Sequence, residues 1–375
     1  MRILHIITNA ELGGAQSVVS ELCLWSAQAG HQVGVASQAA GPFWESLDSR
    51  VERLPLPHMV KELSLLADLA VFGEIRKAIR DFGPDVIHLH SSKAGVLGRL
   101  AAGRLRRRVV YTVHGFDTIL KAHRAFLPLE RVLQGLCGAV VAVSEYDRRN
   151  LAASGISRNL SVIRNGARDW SGSLPVDKGV AAAMEAARAA GGAALCIARL
   201  APPKRFDLFR EAAERLPGAR FFWIGNEVEV RGLPPNLEML GSQPSAGAYA
   251  GHADVLVLLS DYEGLPMSIL EALSCGTPVV ASAVGGIAEA LGGAIGGGSG
   301  ETVPNEAGAA AAAIARYFPG GDRHAPPGSA ARARIREGYL GGFSVEAMAR
   351  AYDGLYVQLA GLGPKLDIAR SIPSC

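Results

Sequence analysis

Short apolar runs rich in β-branched residues alternate with helical stretches along this chain, and the alternation runs through twice. In the first half, Ile3–Thr8, Gln32–Ser37, Val86–His90, Val109–His114 and Val140–Ser144 read as strands. Between them, Gly13-Gly14 opens a helix with apolar positions at Val18, Val19, Leu22 and Leu24. Ile75, Ala78 and Ile79 mark another helix that stops at Gly83-Pro84. Apolar strands alternating with helices indicate a parallel sheet covered on both faces. The pattern restarts after Gly191-Gly192, with strands at Leu195–Ala198, Arg220–Ile224, Asp254–Leu259 and Pro278–Ser282. The fold class is therefore α/β: two doubly wound Rossmann-like domains, expected over 1–169 and 170–344 and joined by a linker at Trp170–Lys178 that carries Gly172 and Pro175. Ligands of such sheets bind beyond the carboxyl ends of the strands. Two facing sheets are expected to hold the site in the cleft between them.

The chain's 375 residues suit two domains, and 49% hydrophobic residues supply two cores, which excludes wholesale disorder. Five scattered cysteines (Cys23, Cys137, Cys196, Cys275, Cys375) form no C-x-x-C pair, so a disulfide framework or zinc site is not expected and a reducing cytoplasm fits. The opening apolar run Met1–Thr8 is too short for a signal-peptide core, and no stretch reaches the length of a membrane span. Residues 1–170 hold 21 Lys+Arg against 15 Asp+Glu, whereas the remainder hold 17 against 20. The positive half suits phosphates or an anionic membrane surface. Nucleic acid is not an expected partner.

The turn after the first strand, Asn9–Gln16, lacks the G-x-G-x-x-G dinucleotide fingerprint, and neither a G-x-x-x-x-G-K-[ST] loop nor an H-E-x-x-H helix occurs. A nicotinamide oxidoreductase and a P-loop NTPase are both poorly supported. The informative segment is Asp261–Val280, in which Glu263 follows a strand, Gly264-Leu265-Pro266 turns, and Glu271 lies inside a helix closed by Gly276 and Pro278. Pro266 has the fixed φ favoured at a helix start. Exposed amides of a helix N-terminus suit phosphate, and the Glu271 carboxylate suits a ribose diol. Standing alone, Glu271 would read as a solvated helix carboxylate. A second constellation, Ile197–Asp207, places Arg199 at a strand end and Lys204 after Pro202-Pro203. Two cations there match a diphosphate whose charge grows as a bond breaks.

Arg199-Leu…Lys204 and Glu263-Gly-Leu-Pro…Glu271-Ala together resemble the retaining GT-B glycosyltransferases of family four, including bacterial capsule, exopolysaccharide and O-antigen sugar transferases. Gly13-Gly14, Val113-His114-Gly115, Val143-Ser144-Glu145, Ile163-Arg-Asn-Gly166 and Val284-Gly-Gly286 extend the resemblance over nearly the whole chain. It implies transfer of a sugar from a UDP- or GDP-sugar to a glycan or polyprenyl-diphosphate-linked acceptor, without a metal or other cofactor. Arg199 and Lys204 are then expected on the diphosphate, Glu271 on the ribose, Glu263 at the donor sugar, Gly264 among the donor-binding residues, and amides near Leu265 and Pro266 on phosphate. Gly13 and Gly14 are expected to approach the donor, His114 to lie beside the reacting sugar, and Gly225, Asn226, Ser242 and Gln243 to flank the base. Arg205 stands where the family often has Gly. The family's route is front-face attack; double displacement through Glu263 ranks lower. The family fold also implies that the last helical segment, 345–375, packs back on the first domain. Within it, Met348, Tyr352, Leu355 and Tyr356 recur at helical spacing after Ser344, and the tail Pro364–Cys375 reads as poorly ordered. A nucleotide-sugar epimerase of the same architecture and a non-catalytic sugar-nucleotide-binding protein are the competing readings.

His88 and His90 alternate with apolar residues and face one side of their strand. His88 reads as a hydrogen-bonded structural residue. His90, followed by Ser91, Ser92 and Lys93, is either structural or, with Lys93, on the acceptor side. His114 orients the sugar or moves a proton. Lys93–Arg108 clusters five arginines beside Val96, Leu97, Leu100 and Leu105, and Lys121 and Arg124 follow. That basic face either docks on an anionic leaflet, making the protein peripheral to the membrane, or is a solvated helix end.

Overall fold

The computed structural model describes residues 1–62, 64–117, 120, 124–173, 177–226, 228–292 and 298–361. The chain forms two compact units, Met1–Gly166 with the segment from Val345 onward, and Ala167–Ser344. The division falls after Gly166 rather than after Asp169. Ala167 already bridges Ser344, and its amide donates to Phe343 O at 2.9 Å. The Trp170 amide likewise donates to Ser274 Oγ at 3.0 Å, so the expected linker begins inside the second unit. Pro175 of that linker lies outside the described residues.

In the first unit, strands β1 (Arg2–Ile7), β2 (Gln32–Gln38), β3 (Glu52–Leu56), β4 (Val86–His90), β5 (Val109–Val113), β6 (Ala139–Ala142) and β7 (Leu160–Val162) form one sheet. Its order is β3-β2-β1-β4-β5-β6-β7, with every pair parallel. The central strands are apolar because both faces are covered. Val86, Ile87 and Leu89 of β4 are fully buried, each contributing roughly 1.5–3 kcal/mol. The edge strands β3 and β7 were not legible as strands. Most of β3 is exposed and includes Pro55, and β7 has three half-buried residues.

Alternate residues of a strand face opposite sides of the sheet. Leu4, Ile6, Ile87 and Leu89 fill one core. His5 of β1 pairs in register with His88 of β4, and His90 with Thr112 of β5, which lines histidines along the other face. The helix Val345–Ala360 covers part of that face, burying Met348, Tyr352, Leu355 and Tyr356 as their spacing required. The tail Pro364–Cys375 lies outside the described residues.

The second unit carries β8 (Ala193–Ile197), β9 (Arg220–Ile224), β10 (Leu237–Met239), β11 (Val255–Leu258), β12 (Val279–Ser282) and β13 (Gly300–Val303). These are again all parallel, in the order β10-β9-β8-β11-β12-β13. The edge strands β10 and β13 were not anticipated. Among the described residues no helix is long and apolar enough to cross a membrane.

Candidate active site

In the second unit the chain proceeds outward from β8 to β9 in one direction, then returns to place β11 on the other side of β8. The carboxyl ends of β8 and β11 are thus its topological switch point, where doubly wound sheets take ligands. Both chemical segments emerge there. The loop after β8 lies along the end of β11: the Arg205 amide donates to Leu259 O at 2.9 Å, and the Asp261 amide donates to Pro203 O at 3.0 Å. Lys204 also bridges Ser260. Arg205 braces this loop by ion pairs to Asp207 and Asp261 at 2.6 and 3.1 Å, so the departure from Gly at this position serves the loop itself.

These contacts aim Lys204 at the turn after β11. Its Nζ meets Glu263 Oε1 at 2.5 Å, with both side chains largely shielded. The structure therefore joins the two motifs that sequence left separate. Arg199 is exposed, and its guanidinium has no hydrogen-bond or ion-pair partner among the described residues. Behind Glu263 lies Gly285, at φ +59, where a Cβ would collide with Glu263 O; the Gly286 amide donates to Gly264 O at 2.8 Å. The Val284-Gly-Gly286 motif thus backs the turn by a close approach only glycine permits. Asn305, which no sequence signal singled out, clamps the end of β11 by donating from Nδ2 to Ser260 O at 3.0 Å.

The helix after the turn spans Met267–Ser274 and has no side-chain cap. Pro266 is its N-cap, at φ −71 and ψ 131, and not its first helical residue. Proline has no N–H to donate, so the backbone donors near Leu265 and Pro266 at the helix start are the amides of Met267 and Ser268, which lack intrahelical acceptors. Glu271 is half-buried on the same helix. Gly225, at φ +107, sits with its Cα against the end of the β8 strand; a Cβ there would be 2.6 Å from Ala198 O. The Asn226 side chain is spent on the loop, accepting from the Gly241 amide at 2.9 Å and donating to Val228 O at 3.3 Å. Gln243 is similarly tied to Leu240 O and Tyr249. These two side chains therefore hold the loop's shape.

In the first unit the switch point lies at β1 and β4. Gly13 is extended at φ 179 and caps the helix Gly14–Gln28 after β1. Ser91, just after β4, adopts φ 73 and ψ 156, a region that side chains rarely tolerate. It is held by Thr8, Oγ1 to Oγ at 2.7 Å, and by the Thr8 amide at 3.2 Å. Sequence reasoning did not single out Thr8.

His5, His88 and His90 are buried together, and His114 stands half-buried beside them. His88 shares hydrogen bonds with Tyr356 OH at 2.6 Å and Thr112 Oγ1 at 2.7 Å, which makes it structural. His5 Nδ1 and His90 Nε2 lie 3.1 Å apart, and His90 Nδ1 and His114 Nε2 lie 3.0 Å apart. Burial lowers their pKa values, to about 3 for His5 and about 4 for His114, with His88 and His90 also well below the usual imidazole range. All four rings are therefore neutral at pH 7. His5, His88 and His90 place ring nitrogens within 4.8 Å of one another, a spacing a metal could use. Both His88 nitrogens are already engaged, so the donor set fits a hydrogen-bond network better than a metal centre.

Two acceptor-side expectations change. His90 is fully buried and both its nitrogens are taken. Lys93 is nearly buried, with Nζ on Asp68 at 2.7 Å and on Glu62 O, so it ties the start of the helix Leu65–Phe82 to this strand end. The expected basic face also shrinks. Arg99 is buried on Glu130 at 2.8 Å and over the Tyr111 ring, leaving Arg104, Arg106, Arg107 and Arg108 on the turn Gly103–Arg108. Lys121 lies outside the described residues. The Val143-Ser144-Glu145 motif acts locally: Ser144 caps the helix Glu145–Ala153, and Asp147 accepts from the Phe116 amide at 2.9 Å, fixing the segment after His114.

Residues 12–169 match the sequence profile of Glycosyltransferase Family 4, and residues 192–318 that of Glycosyl transferases group 1. An Escherichia coli UDP-Gal:alpha-D-GlcNAc-diphosphoundecaprenol alpha-1,3-galactosyltransferase is 25% identical over 76% of this chain and 80% of its own length. The E. coli O-antigen biosynthesis glycosyltransferase WbnH is 24% identical over 76% of this chain and 82% of its own. In structure, HepE from Anabaena, crystallised with UDP and glucose, superposes with a TM-score of 0.75 at 20% identity, over 95% of this chain and 99% of that one. Sucrose-phosphate synthase from Thermosynechococcus elongatus gives 0.79 at 21% identity, over 97% and 100%.

Proposed function

We propose that this chain, which belongs to the group 1 glycosyltransferases of family four and has the GT-B fold, moves a sugar with retention from a UDP- or GDP-sugar to a polyprenyl-diphosphate-linked or glycan acceptor. Relatives at comparable similarity act in O-antigen synthesis and on a diphosphoundecaprenol-linked sugar, which supports that acceptor class and the synthesis of surface polysaccharide. The observation that carries the reading is the strand-end cluster of the second unit: Lys204 against Glu263, the unpaired Arg199 nearby in the same loop, and an uncapped helix N-terminus after the turn.

Cleavage of the donor leaves negative charge on the diphosphate and positive charge at the sugar carbon. Arg199, Lys204 and the amides of Met267 and Ser268 stabilise the former without requiring a metal. Leu265 and Gly264 line the turn, Glu271 takes the ribose, and the backbone at Gly225 and Asn226 meets the base. By family position Gly13 and Gly14 approach the donor, and His114 meets its sugar. Glu263 is held by an ammonium, which weakens it as a nucleophile and favours front-face attack, with the leaving phosphate taking the acceptor proton. The exposed arginines of Gly103–Arg108 suit peripheral docking on an anionic leaflet, where such an acceptor resides.

Incubation of the purified protein with labelled UDP- and GDP-sugars and a short-chain polyprenyl-diphosphate sugar, in EDTA, tests this. Transfer with retained anomeric configuration is expected. Inversion at C2 of the donor would make the protein an epimerase, and binding without turnover a sugar-nucleotide-binding protein.

A further inference from the structure

Beyond its last ladder pair, β11 is held by side chains. Its pairing with β12 ends at Leu258 opposite Ala281, two residues short of Ser260. Ser260 is fully buried, so its main-chain groups need partners. Its amide donates to Ser282 Oγ at 2.8 Å, and its carbonyl accepts from Asn305 Nδ2 at 3.0 Å. The Ser282 hydroxyl donates in turn to Asn305 Oδ1 at 2.5 Å, which closes a ring. The ring runs in one direction. Because Ser282 Oγ accepts from the Ser260 amide, its proton goes to Asn305 Oδ1, and this turns Nδ2 toward Ser260 O.

Asn305 has a local use that it does not take. It stands just before the helix Ala307–Ala315, and asparagine is among the strongest helix-capping residues. That helix has no side-chain cap, and the Asn305 amide instead reaches past the end of β12 to β11. On its other side the same segment is bound to the loop after β8, through Leu259 O and the Asp261 amide. Residues 259–261 are therefore gripped twice, by the loop that carries Lys204 and by Ser282 with Asn305. Glu263 follows two residues later, and both grips set where its carboxylate meets Lys204.

We propose that Asn305 is a positioning residue: acting with Ser282 through Ser260, it sets the turn that holds Glu263 against Lys204. The consequence for sugar transfer rests on the function proposed above; the control of the ion pair does not. It gives the edge strand β13 a part in the site although Asn305 bonds to neither charged side chain.

The second unit contains two lysines, Lys204 and the exposed Lys178, which makes the ion pair readable. Acetylation of the full chain with N-hydroxysuccinimidyl acetate, followed at both lysines by mass spectrometry, reports the pair against an internal reference. Glu263→Gln breaks the pair and is expected to raise Lys204 reactivity the most. Asn305→Ala is expected to raise it about fivefold, the loss of one hydrogen bond, with Lys178 unchanged. Ser282→Ala should do the same, and the double variant should add little, because both break one ring. Asn305→Asp keeps the acceptor for Ser282, loses the donor to Ser260, and is expected to match Asn305→Ala. Wild-type Lys204 reactivity in a folded Asn305→Ala or Asn305→Asp overturns the proposal, as does an unchanged Lys204 in Glu263→Gln. Should Asn305→Ala not fold, Asn305→Asp and Ser282→Ala carry the decision. In the transfer assay Asn305→Ala is expected to lower kcat by about the same factor with little change in donor KM, since Lys204 meets charge that grows in the transition state. If the wild type transfers no sugar, the function reading fails, and the lysine reactivities still decide the role of Asn305.

Discussion

Acidification from pH 7 to pH 5.5 is expected to destabilise the first unit steeply. His5, His88 and His90 are each fully buried, and burial holds each neutral far below the usual imidazole pKa, near 3 for His5. The unfolded chain binds protons at these positions from about pH 6.5 downward, while the folded chain does not. Unfolding therefore takes up protons in this window, and stability is fully present above pH 6.5 and falls as pH drops. His114, held near 4, titrates in the same way, so each ring withdraws a little over about 1 kcal/mol by pH 5.5, or about 5 kcal/mol for the four. The exposed carboxylates whose pKa values are lowered by arginine, Asp48 to about 2 for example, lose their contribution only near pH 4 and below. The window thus belongs to histidine. Hydrogen exchange of peptides from β1 and β4, corrected for the intrinsic pH effect, measures it. The opening constant is expected to rise roughly several thousandfold between the two pH values, and His5→Asn should remove about a quarter of the free-energy slope. Protection that does not change over this range would refute the neutrality of the cluster.

Lys204→Ala and Arg199→Ala are each expected to raise the barrier by about 3 kcal/mol, on the order of a hundredfold in kcat, with the fold intact by circular dichroism; near-normal turnover in both would remove them from the diphosphate. Glu271→Ala is expected to raise the donor KM more than it lowers kcat, as loss of a ribose contact requires, and an unchanged KM would reassign it. Glu130→Ala leaves the buried Arg99 guanidinium unpaired over Tyr111 and should cost about 3–5 kcal/mol in urea denaturation; a loss below 1 kcal/mol would show that Arg99 finds water. Replacing Arg106, Arg107 and Arg108 with Gln should weaken binding to anionic vesicles in low salt and leave nucleotide affinity unchanged, whereas equal binding to neutral vesicles would point to a soluble acceptor.

The division of labour between sequence and structure follows from how far each signal reaches. Local patterns carried the fold class. The central strands are buried on both faces and so must be continuously apolar, and the strand–turn–helix run from Asp261 to Val280 bears its chemistry within one short stretch. Edge strands such as β3, β7, β10 and β13 escaped, because a strand with one exposed side needs no such run. The sequence could nominate Lys204 and Glu263, but only the adjacency of β8 and β11 put their side chains 2.5 Å apart. It could place His88 and His90 on one side of a strand, yet it offered no sign that His90 is bound at both nitrogens or that Lys93 is spent on Asp68. His5, His90 and His114 sit on or just beyond β1, β4 and β5. These strands become neighbours only because the chain leaves β1 for β2 and β3 and then returns to the other side of β1. Parallel pairing then sets the register that aligns their rings, and a partner chosen by strand order leaves no trace in the residues beside it.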